Sequence, residues 1–349
     1  MAINIKLLAE ICKTPGAPGF EQKVRKLVLQ ELEGLVDEVE TDNLGNVYAI
    51  KRGTGDKKVM IGAHMDEIGF MVTHIDDKGF IRFHTLGGFD PKTLTAQRVI
   101  IHGKKDIIGV MASKPIHVMS PEERNKVAKL SDYFIDTGLP KEEIEKYVKI
   151  GDPITREREF IEMGECVNSK SLDNRLAVFI LLETLRQLKG KEVPYDVYGV
   201  FTVQEEVGIR GANVASLRIK PDFGFGLDTT IAFDLPGAAP HEMITKLGEG
   251  TAIKIMDAST ICDYRMVDFM KKTADAKQIK WQPEILTAGG TDTAGIQRMT
   301  EGGSIAGAVS IPTRHLHQVI EMAHKADIQA SIDLLTACCM EIDQHDWSF

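Results

Sequence analysis

Polar side chains that can hold metal ions or move protons follow several short apolar runs of this sequence. Those side chains are His64, Asp66, Glu205, Glu206, Asp228 and His317. Asp173 stands at the start of a further helical stretch. Functional side chains of open α/β sheets gather at the carboxyl ends of the strands, so these positions are where we expect a site.

Each of these residues taken alone has a simpler explanation. A carboxylate at a strand end usually caps a turn, and Asp173 or Asn174 could cap the helix that follows. The adjacent pair Glu205 and Glu206 is harder to explain in this way. Consecutive strand residues point to opposite faces, so one of the two carboxylates would be driven inward.

Taken together, the residues comprise two imidazoles and several carboxylates, with no thiolate. Nitrogen and oxygen ligands of this kind suit Zn²⁺, Co²⁺ or Mn²⁺ in a catalytic site, whereas structural zinc prefers cysteine. Five ligands for two ions require one ligand to be shared, and a bridging aspartate would do so. One glutamate can then bind an ion while its neighbour acts as general base.

The elements that must position these side chains follow from apolar spacing. Helical spacing predicts helices at 4–13, 20–35, 174–188, 264–277 and 321–342. Short apolar runs predict strands at 47–51, 59–63, 197–203, 223–227, 252–256 and 305–310. Residues 68–164 carry short alternating runs that predict a small β-rich domain. We therefore expect one α/β domain, formed by 1–67 and 165–349, whose chain is interrupted by the inserted domain 68–164.

Composition excludes several function classes. With 349 residues, 43% hydrophobic and 27% charged, the chain is typical of a globular protein of about two domains. Its formal charge of −9 disfavours nucleic acid as a partner. No run of about 18 apolar residues or signal-peptide core occurs, so we expect no membrane association. Five scattered cysteines without a Cys-x-x-Cys pair predict a cytoplasmic location.

Other catalytic motifs are incomplete or absent. The stretch from His241 to Thr245 begins like a zinc-protease helix, but threonine stands where the second histidine is needed. The sequence has no Gly-x-Ser-x-Gly elbow, no Gly-x-Gly-x-x-Gly loop and no phosphate-binding loop of the Walker type. One-metal protease, serine hydrolase and nucleotide chemistry therefore have no support.

Six stretches in order resemble the glutamyl or deblocking aminopeptidases, the tetrahedral dinuclear-metal enzymes that are sometimes labelled endoglucanases. They are GAHMDEIGFMV at 62–72, KSLDNR at 170–175, VQEEVGIRGA at 203–212, GLDTT at 226–230, GGTDTAG at 289–295 and PTRHLH at 312–317. The resemblance covers essentially the whole chain. It implies an α/β fold, with a mixed-sheet α/β/α catalytic domain that carries an inserted β-rich domain.

The resemblance also implies a metal-ligand set. His64 and Asp228 would hold one ion, Glu206 and His317 the other, and Asp173 would bridge the two. Family members commonly have tyrosine at the position of His315, which makes His317 the matching ligand. On a strand, His315 and His317 would point the same way, so His315 stays an alternative.

Two further residues receive roles from the resemblance. Glu205 would be the general base that activates water and returns the proton to the leaving amine. Asp66 would orient the site, because metal-bound imidazoles usually donate their other N–H to an anchor.

The implied function is a cytoplasmic metallo-aminopeptidase that removes N-terminal residues from short peptides with two divalent ions, zinc or cobalt. The inserted domain would build a homo-oligomer, a tetrahedral dodecamer made from dimers, although a lid or spacer is the simpler alternative. Other functions left open are a dinuclear-metal amide deacylase, an endoglucanase and a non-catalytic scaffold. A glycosidase needs two metal-free carboxylates, which disfavours the endoglucanase.

Overall fold

The computed structural model describes residues 3–349. Within this range the chain forms nine α-helices, two of which are single turns. They are α1 (Ile5–Lys13), α2 (Gln22–Glu31), α3 (Pro121–Arg124), α4 (Lys141–Ile144), α5 (Leu172–Leu188), α6 (Arg210–Ile219), α7 (Tyr264–Ala276), α8 (Asp292–Arg298) and α9 (Lys325–Glu341). No helix in 3–349 is long and apolar enough to cross a membrane.

The strands of the described residues fall into three consecutive groups along the chain. The first group is β1 (Glu38–Thr41), β2 (Val47–Lys51) and β3 (Lys58–His64). The second is β4 (Gly69–Ile75), β5 (Ile81–Leu86), β6 (Gln97–His102), β7 (Asp106–Ala112), β8 (Phe134–Asp136) and β9 (Pro153–Arg156). The third is β10 (Ile161–Met163), β11 (Cys166–Ser169), β12 (Asp196–Thr202), β13 (Phe223–Ile231), β14 (Thr251–Met256), β15 (Trp281–Ile285), β16 (Ile305–Arg314) and β17 (Glu321–His324).

The first and third groups form one 11-stranded sheet in the order β1-β2-β12-β3-β13-β16-β17-β11-β10, with β14 and β15 on a branch from β16. The four central strands β12, β3, β13 and β16 are mutually parallel. Antiparallel strands flank them on both sides. Since parallel strands end at the same edge of a sheet, the carboxyl ends of these four strands lie side by side.

Helices cover both faces of this sheet. On one face, Val59, Ile61 and Ala63 of β3 belong to a large core that includes residues of α1, α2, α5, α7 and α9. On the other face, Met60 of β3 packs in a smaller core with α6 and α8. The alternation of faces along β3 is that of a strand buried on both sides. The predicted mixed-sheet α/β/α sandwich is confirmed.

Two features of the sequence explain this layering. Every residue from Leu176 to Leu182 of α5 is buried, as expected for a helix that is apolar on all sides and lies in the interior. Helix α8 approaches β13 closely because β13 carries glycine. A Cβ atom at Gly226 would lie 1.8 Å from the Thr293 Oγ1 of α8.

The second group of strands closes into a barrel of order β4-β5-β8-β7-β6-β9 with its own apolar core. Strand β7 alternates exposed and buried residues, the pattern of a strand with one face on a core. The barrel strands run from Gly69 to Arg156, whereas β10 pairs with β11 in the large sheet.

One predicted helix begins later than expected. The spacing predicts a helix from residue 321, but Glu321–His324 form strand β17 and α9 begins at Lys325. Strand β17 pairs with β11 on one side and β16 on the other. Those long-range hydrogen bonds outweigh the local preference for helix.

Candidate active site

The carboxyl ends of the four parallel strands bring the predicted site residues to one place. His64 is the last residue of β3, and Asp228 lies near the end of β13. Glu205 and Glu206 follow β12, and His317 follows β16. Asp173 joins them from the first turn of α5.

Two groups of possible metal-binding atoms occur within residues 3–349, and both contain Asp173. The first is His64, Asp173 and Asp228, and the second is Asp173, Glu206 and His317. In each group the donor atoms lie within 4.8 Å of one another. Asp173 Oδ1 lies 3.4 Å from His64 Nε2, and Asp173 Oδ2 lies 3.4 Å from His317 Nε2. The carboxylate of Asp173 therefore presents one oxygen to each group.

The backbone around Asp173 frees its side chain for this position. Ser171 adopts a left-handed conformation with φ 55°, and Asp173 and Asn174 depart from helical geometry. Asn174 performs the capping role instead, since its Oδ1 accepts from Ala177 N at 3.3 Å. Its Nδ2 donates to the Leu227 carbonyl at 2.9 Å, which ties α5 to β13 beside Asp228.

Backbone carbonyls orient both histidines. His64 Nδ1 lies 3.1 Å from the Asp66 carbonyl, and His317 Nδ1 lies 2.9 Å from the Gly88 carbonyl. A carbonyl can only accept, so each Nδ1 carries a proton, and Nε2 is the atom on the side of the carboxylates that can bind an ion once it is deprotonated. This is the arrangement that metal-binding imidazoles usually adopt.

His317 does not lie on a strand, contrary to the expectation for this stretch. Strand β16 ends at Arg314, and His315 and His317 both take left-handed backbone with φ 61°. His317 lines the site cavity, whereas His315 is not among the residues that line it. The structure therefore brings His317, and not His315, to the carboxylates.

Asp66 supports the two glutamates more directly than it supports His64. Its Oδ1 accepts from Glu205 N at 3.0 Å and its Oδ2 accepts from Glu206 N at 3.1 Å. Its carboxylate lies 3.4 Å from His64 Nδ1, farther than its own carbonyl. The side chain of Asp66 thus fixes the turn after β12, and its backbone carbonyl orients the imidazole of His64.

Burial gives the clustered acids unusual acidities. Removal from water raises the pKa of Glu205 and Asp228 well above their ordinary values, and that of Glu206 to about 7. Burial also opposes ionisation of Asp173, but contacts with His317 and His64 hold its pKa below the usual range. Burial alone would lower the pKa of His317, yet Asp173 and Glu206 raise it to about 10. Several carboxyl groups and the imidazole of His317 therefore hold protons more tightly than usual, and these protons would compete with a bound cation.

The donor set fits divalent cations. Glu206 Oε1 is buried and has no hydrogen-bond partner, a state that is costly unless something else satisfies the oxygen. All donors are carboxylate oxygens and imidazole nitrogens, which suit ions such as Zn²⁺, Co²⁺ or Mn²⁺. A bound cation would satisfy the orphaned oxygen and displace the competing protons.

A cavity of about 530 Å³ opens onto these residues. Glu205 lies on its wall, with Oε2 3.8 Å from His64 Nε2. Apolar side chains form much of the rest of the wall: Ile209, Ile231, Leu286, Ala288 and Leu316. The arrangement can hold a small polar group at the carboxylates and an apolar group beside it.

Lys254 is the one lysine or arginine among the described residues that line this cavity, and sequence reasoning did not single it out. It is 1% exposed, and its Nζ lies 3.0 Å from Asp257 Oδ2 and 3.3 Å from Glu284 Oε1. The neighbouring carboxylates raise its pKa above the ordinary value despite burial. Its charge is therefore compensated before any ligand arrives.

Two buried carboxylates near the site also had no role in the sequence reasoning. Asp292 accepts from Thr202 Oγ1, and burial raises its pKa to about 6. Glu321 accepts from the backbone N–H groups of Asp173 and His317. Asp292 stands in the GGTDTAG stretch that matches the family, and Glu321 follows Ile320, where an acidic residue is also typical of a surface position.

The chain is similar to known proteins over most of its length. Residues 45–334 match the family model of the M42 glutamyl aminopeptidases. A putative aminopeptidase of Acetivibrio thermocellus is 40% identical over 330 residues, which are 94% of this chain and 96% of that protein.

Solved structures extend the likeness to three dimensions. The TET aminopeptidase of Thaumarchaeota archaeon SCGC AB-539-E09 has a TM-score of 0.94 at 36% identity, covering 97% of this chain and 96% of its own. The Pyrococcus horikoshii TET1 peptidase, which can assemble into a tetrahedron or a large octahedral shell, has a TM-score of 0.87 at 30% identity. That likeness covers 97% of this chain and 99% of the other. The chain therefore belongs to the M42 glutamyl aminopeptidase family, and it is a hydrolase that acts on peptides.

Proposed function

We propose that this protein is a metal-dependent aminopeptidase that removes N-terminal residues from short peptides with two divalent ions, zinc or cobalt. The observation that carries the proposal is the position of Asp173, whose two oxygens lie 3.4 Å from two different imidazoles. His64 and Asp228 would complete one ion site, and Glu206 and His317 would complete the other. Asp173 would be the shared ligand.

We assign Glu205 as the general base. It lies on the cavity wall next to His64, outside both groups of donor atoms, and Asp66 holds its backbone. Divalent ions in such a site acidify water and polarise a substrate carbonyl. Glu205 accepts the proton of the attacking water and returns it to the leaving amine.

Recognition of a free α-amine would restrict cleavage to the N-terminal bond. The donor carboxylates surround one end of the cavity, so a protonated or metal-seeking amine is favoured there and an acylated one is not. Hydrolysis of leucyl-p-nitroanilide should greatly exceed that of its N-acetyl form, and removal of metal by a chelator should abolish it. Faster cleavage of the acetylated substrate would favour an amide deacylase instead.

We infer that acidic N-terminal side chains are disfavoured. The wall beside the carboxylates is largely apolar, and Lys254 is already paired with Asp257 and Glu284. An acidic side chain would meet more negative than positive charge there. The same assay with glutamyl-p-nitroanilide should give a kcat/KM about tenfold or more below the leucyl value. Equal or higher glutamyl activity would contradict this preference.

We propose that the barrel serves assembly into a homo-oligomer, a dodecamer of the tetrahedral kind. The similar TET1 peptidase can form a tetrahedron. Ile108 and Val110 of β7 are exposed on the outer face of the barrel and would be covered by a second copy.

We also propose a cytoplasmic location, supported by the five free cysteines. The net charge of −9 supports the absence of nucleic acid as a partner.

A further inference from the structure

Glu321 connects two residues of the site that are far apart in the sequence. It is the first residue of β17 and is 1% exposed. Its Oε1 accepts from His317 N at 2.9 Å, and its Oε2 accepts from Asp173 N at 3.1 Å. One rigid carboxylate therefore holds the backbones of Asp173 and His317 at a set separation.

The main chain of Glu321 is itself firmly held. Strand β17 lies between β11 and β16, and Glu321 pairs with Ser169 of β11. Asn168 Nδ2 donates to the carbonyls of Ile320 at 2.7 Å and Glu321 at 3.0 Å. The carboxylate of Glu321 thus extends from a well-held strand, and it fixes the backbone N–H groups of Asp173 and His317 relative to that strand.

The barrel contributes to the same arrangement through Arg156, the last residue of β9. Arg156 is 3% exposed, and its Nη1 donates to the His317 carbonyl at 3.1 Å. Its Nε and Nη2 have no hydrogen-bond partner. The barrel therefore holds the main chain of His317 through one charge-assisted hydrogen bond from a buried guanidinium.

We propose that Glu321 is a positioning residue that sets the separation of the Asp173 and His317 side chains, and that Arg156 of the barrel holds the His317 main chain in place. The inference rests on the proposed function, because it takes Asp173 and His317 as ligands. Outer residues that orient ligands typically change metal affinity by about 10–100-fold when they are replaced.

The chain offers a matched control for a purely structural role. Asp327 is a buried carboxylate that also accepts two backbone N–H groups, from Gly248 at 2.7 Å and Gly250 at 2.8 Å. It does not line the site cavity. Asp327→Asn therefore removes the same kind of interaction elsewhere in the fold.

The test is Co²⁺ binding to the metal-depleted protein, followed by competition with a chromogenic chelator and by the visible absorption spectrum of the bound Co²⁺. Glu321→Gln should weaken binding of one of two Co²⁺ ions by about 10–100-fold and change its spectrum. Arg156→Met should act in the same direction, and Arg156→Lys should lose less because it keeps the charge and one donor. Asp327→Asn should bind Co²⁺ like the unsubstituted protein.

The outcomes separate this inference from the proposed function. If the unsubstituted protein takes up no Co²⁺, the metal site is wrong and this inference falls with it. If that protein binds Co²⁺ and Glu321→Gln matches its affinity and spectrum, only the positioning role is overturned. Equal losses in Glu321→Gln and Asp327→Asn would overturn it as well. Should Glu321→Gln lack a folded circular dichroism spectrum, Arg156→Met and Arg156→Lys provide the test. Co²⁺ affinity and spectrum equal to those of the unsubstituted protein in both variants would overturn the proposal.

Discussion

Glu205 and Glu206 are neighbours in the sequence but take different places in the site. Strand alternation predicts that one of them is driven inward. Strand β12 instead ends at Thr202, Gln204 takes left-handed backbone with φ 56°, and both side chains are at most 10% exposed. After this turn, Glu206 lies with Asp173 and His317 in the second donor group, whereas Glu205 lies on the cavity wall.

This division predicts the effect of Glu205→Gln. The amide keeps the shape of the side chain but cannot accept a proton, so kcat should fall by about 10²–10⁴-fold. Metal content, measured by elemental analysis, should stay at the unsubstituted level because Glu205 lies outside both donor groups. Glu206→Gln is the matched comparison, and it should lose metal as well as rate. Near-normal kcat in Glu205→Gln would refute its role as base.

The raised pKa values predict that metal binding releases protons. A pKa of about 10 keeps His317 protonated at pH 7 in the ion-free protein, and a pKa of about 7 keeps Glu206 about half protonated. Ligands must lose these protons to bind an ion. Binding at pH 7 should therefore release more than one proton per chain, and affinity should rise from pH 6 to pH 8.

Isothermal titration calorimetry with Zn²⁺ in two buffers of different ionisation enthalpy measures this release. His317→Ala removes one of the titrating groups and should release fewer protons. Metal binding without any proton release at pH 7 would contradict the proposed ligand set.

At the scale of elements, apolar runs were sufficient to predict the strands that carry the site. The predicted strand at 59–63 is observed as β3, Lys58–His64, and the run at 223–227 begins β13. Their carboxyl ends point to His64 and Asp228, which the structure brings together in one group of possible metal-binding atoms. Such runs are reliable because a parallel strand buried on both faces must be continuously apolar.

Local patterns failed where distant contacts decide the backbone. The left-handed conformations of His315 and His317 are uncommon for residues other than glycine, and no local signal predicts them. Strand β17 replaced the predicted start of α9 because β11 and β16 supply its partners. Glu321 and Arg156 remained unrecognised for the same reason, since their importance lies in contacts across the sheet and between domains.

The close approach of α8 to β13 gives a prediction about stability. Gly226→Ala places a methyl group against Thr293, so the free energy of unfolding should fall by about 1–3 kcal/mol. Urea denaturation measures this loss. Gly199→Ala in β12 is the control, because its nearest neighbours would be the flexible ends of Leu181 at 3.2 Å and Leu185 at 3.3 Å. Equal losses in both variants would show that contact with α8 is not the cause.

At the scale of the whole molecule, the barrel governs the predicted assembly. Light scattering should report a particle of twelve 38.6 kDa chains. Ile108→Glu places a charge on the exposed face of β7, where Ile108 is 61% exposed, and should reduce the particle mass. Ile261→Glu is the control on the α/β domain. A monomer at all concentrations would contradict the predicted assembly. Dissociation by Ile261→Glu alone would show that the interface lies on the α/β domain and not on the barrel.

The order in which the strands enter the sheet also bears on the synthesis of the protein. Chains leave the ribosome from the N-terminal end, and domains fold as they emerge. His64 appears early and Asp173 near the middle, but His317 and its support Glu321 lie near the other end of the sequence. A partly made chain therefore lacks the second donor group. We therefore expect the proposed two-ion site to be complete only when translation is almost finished.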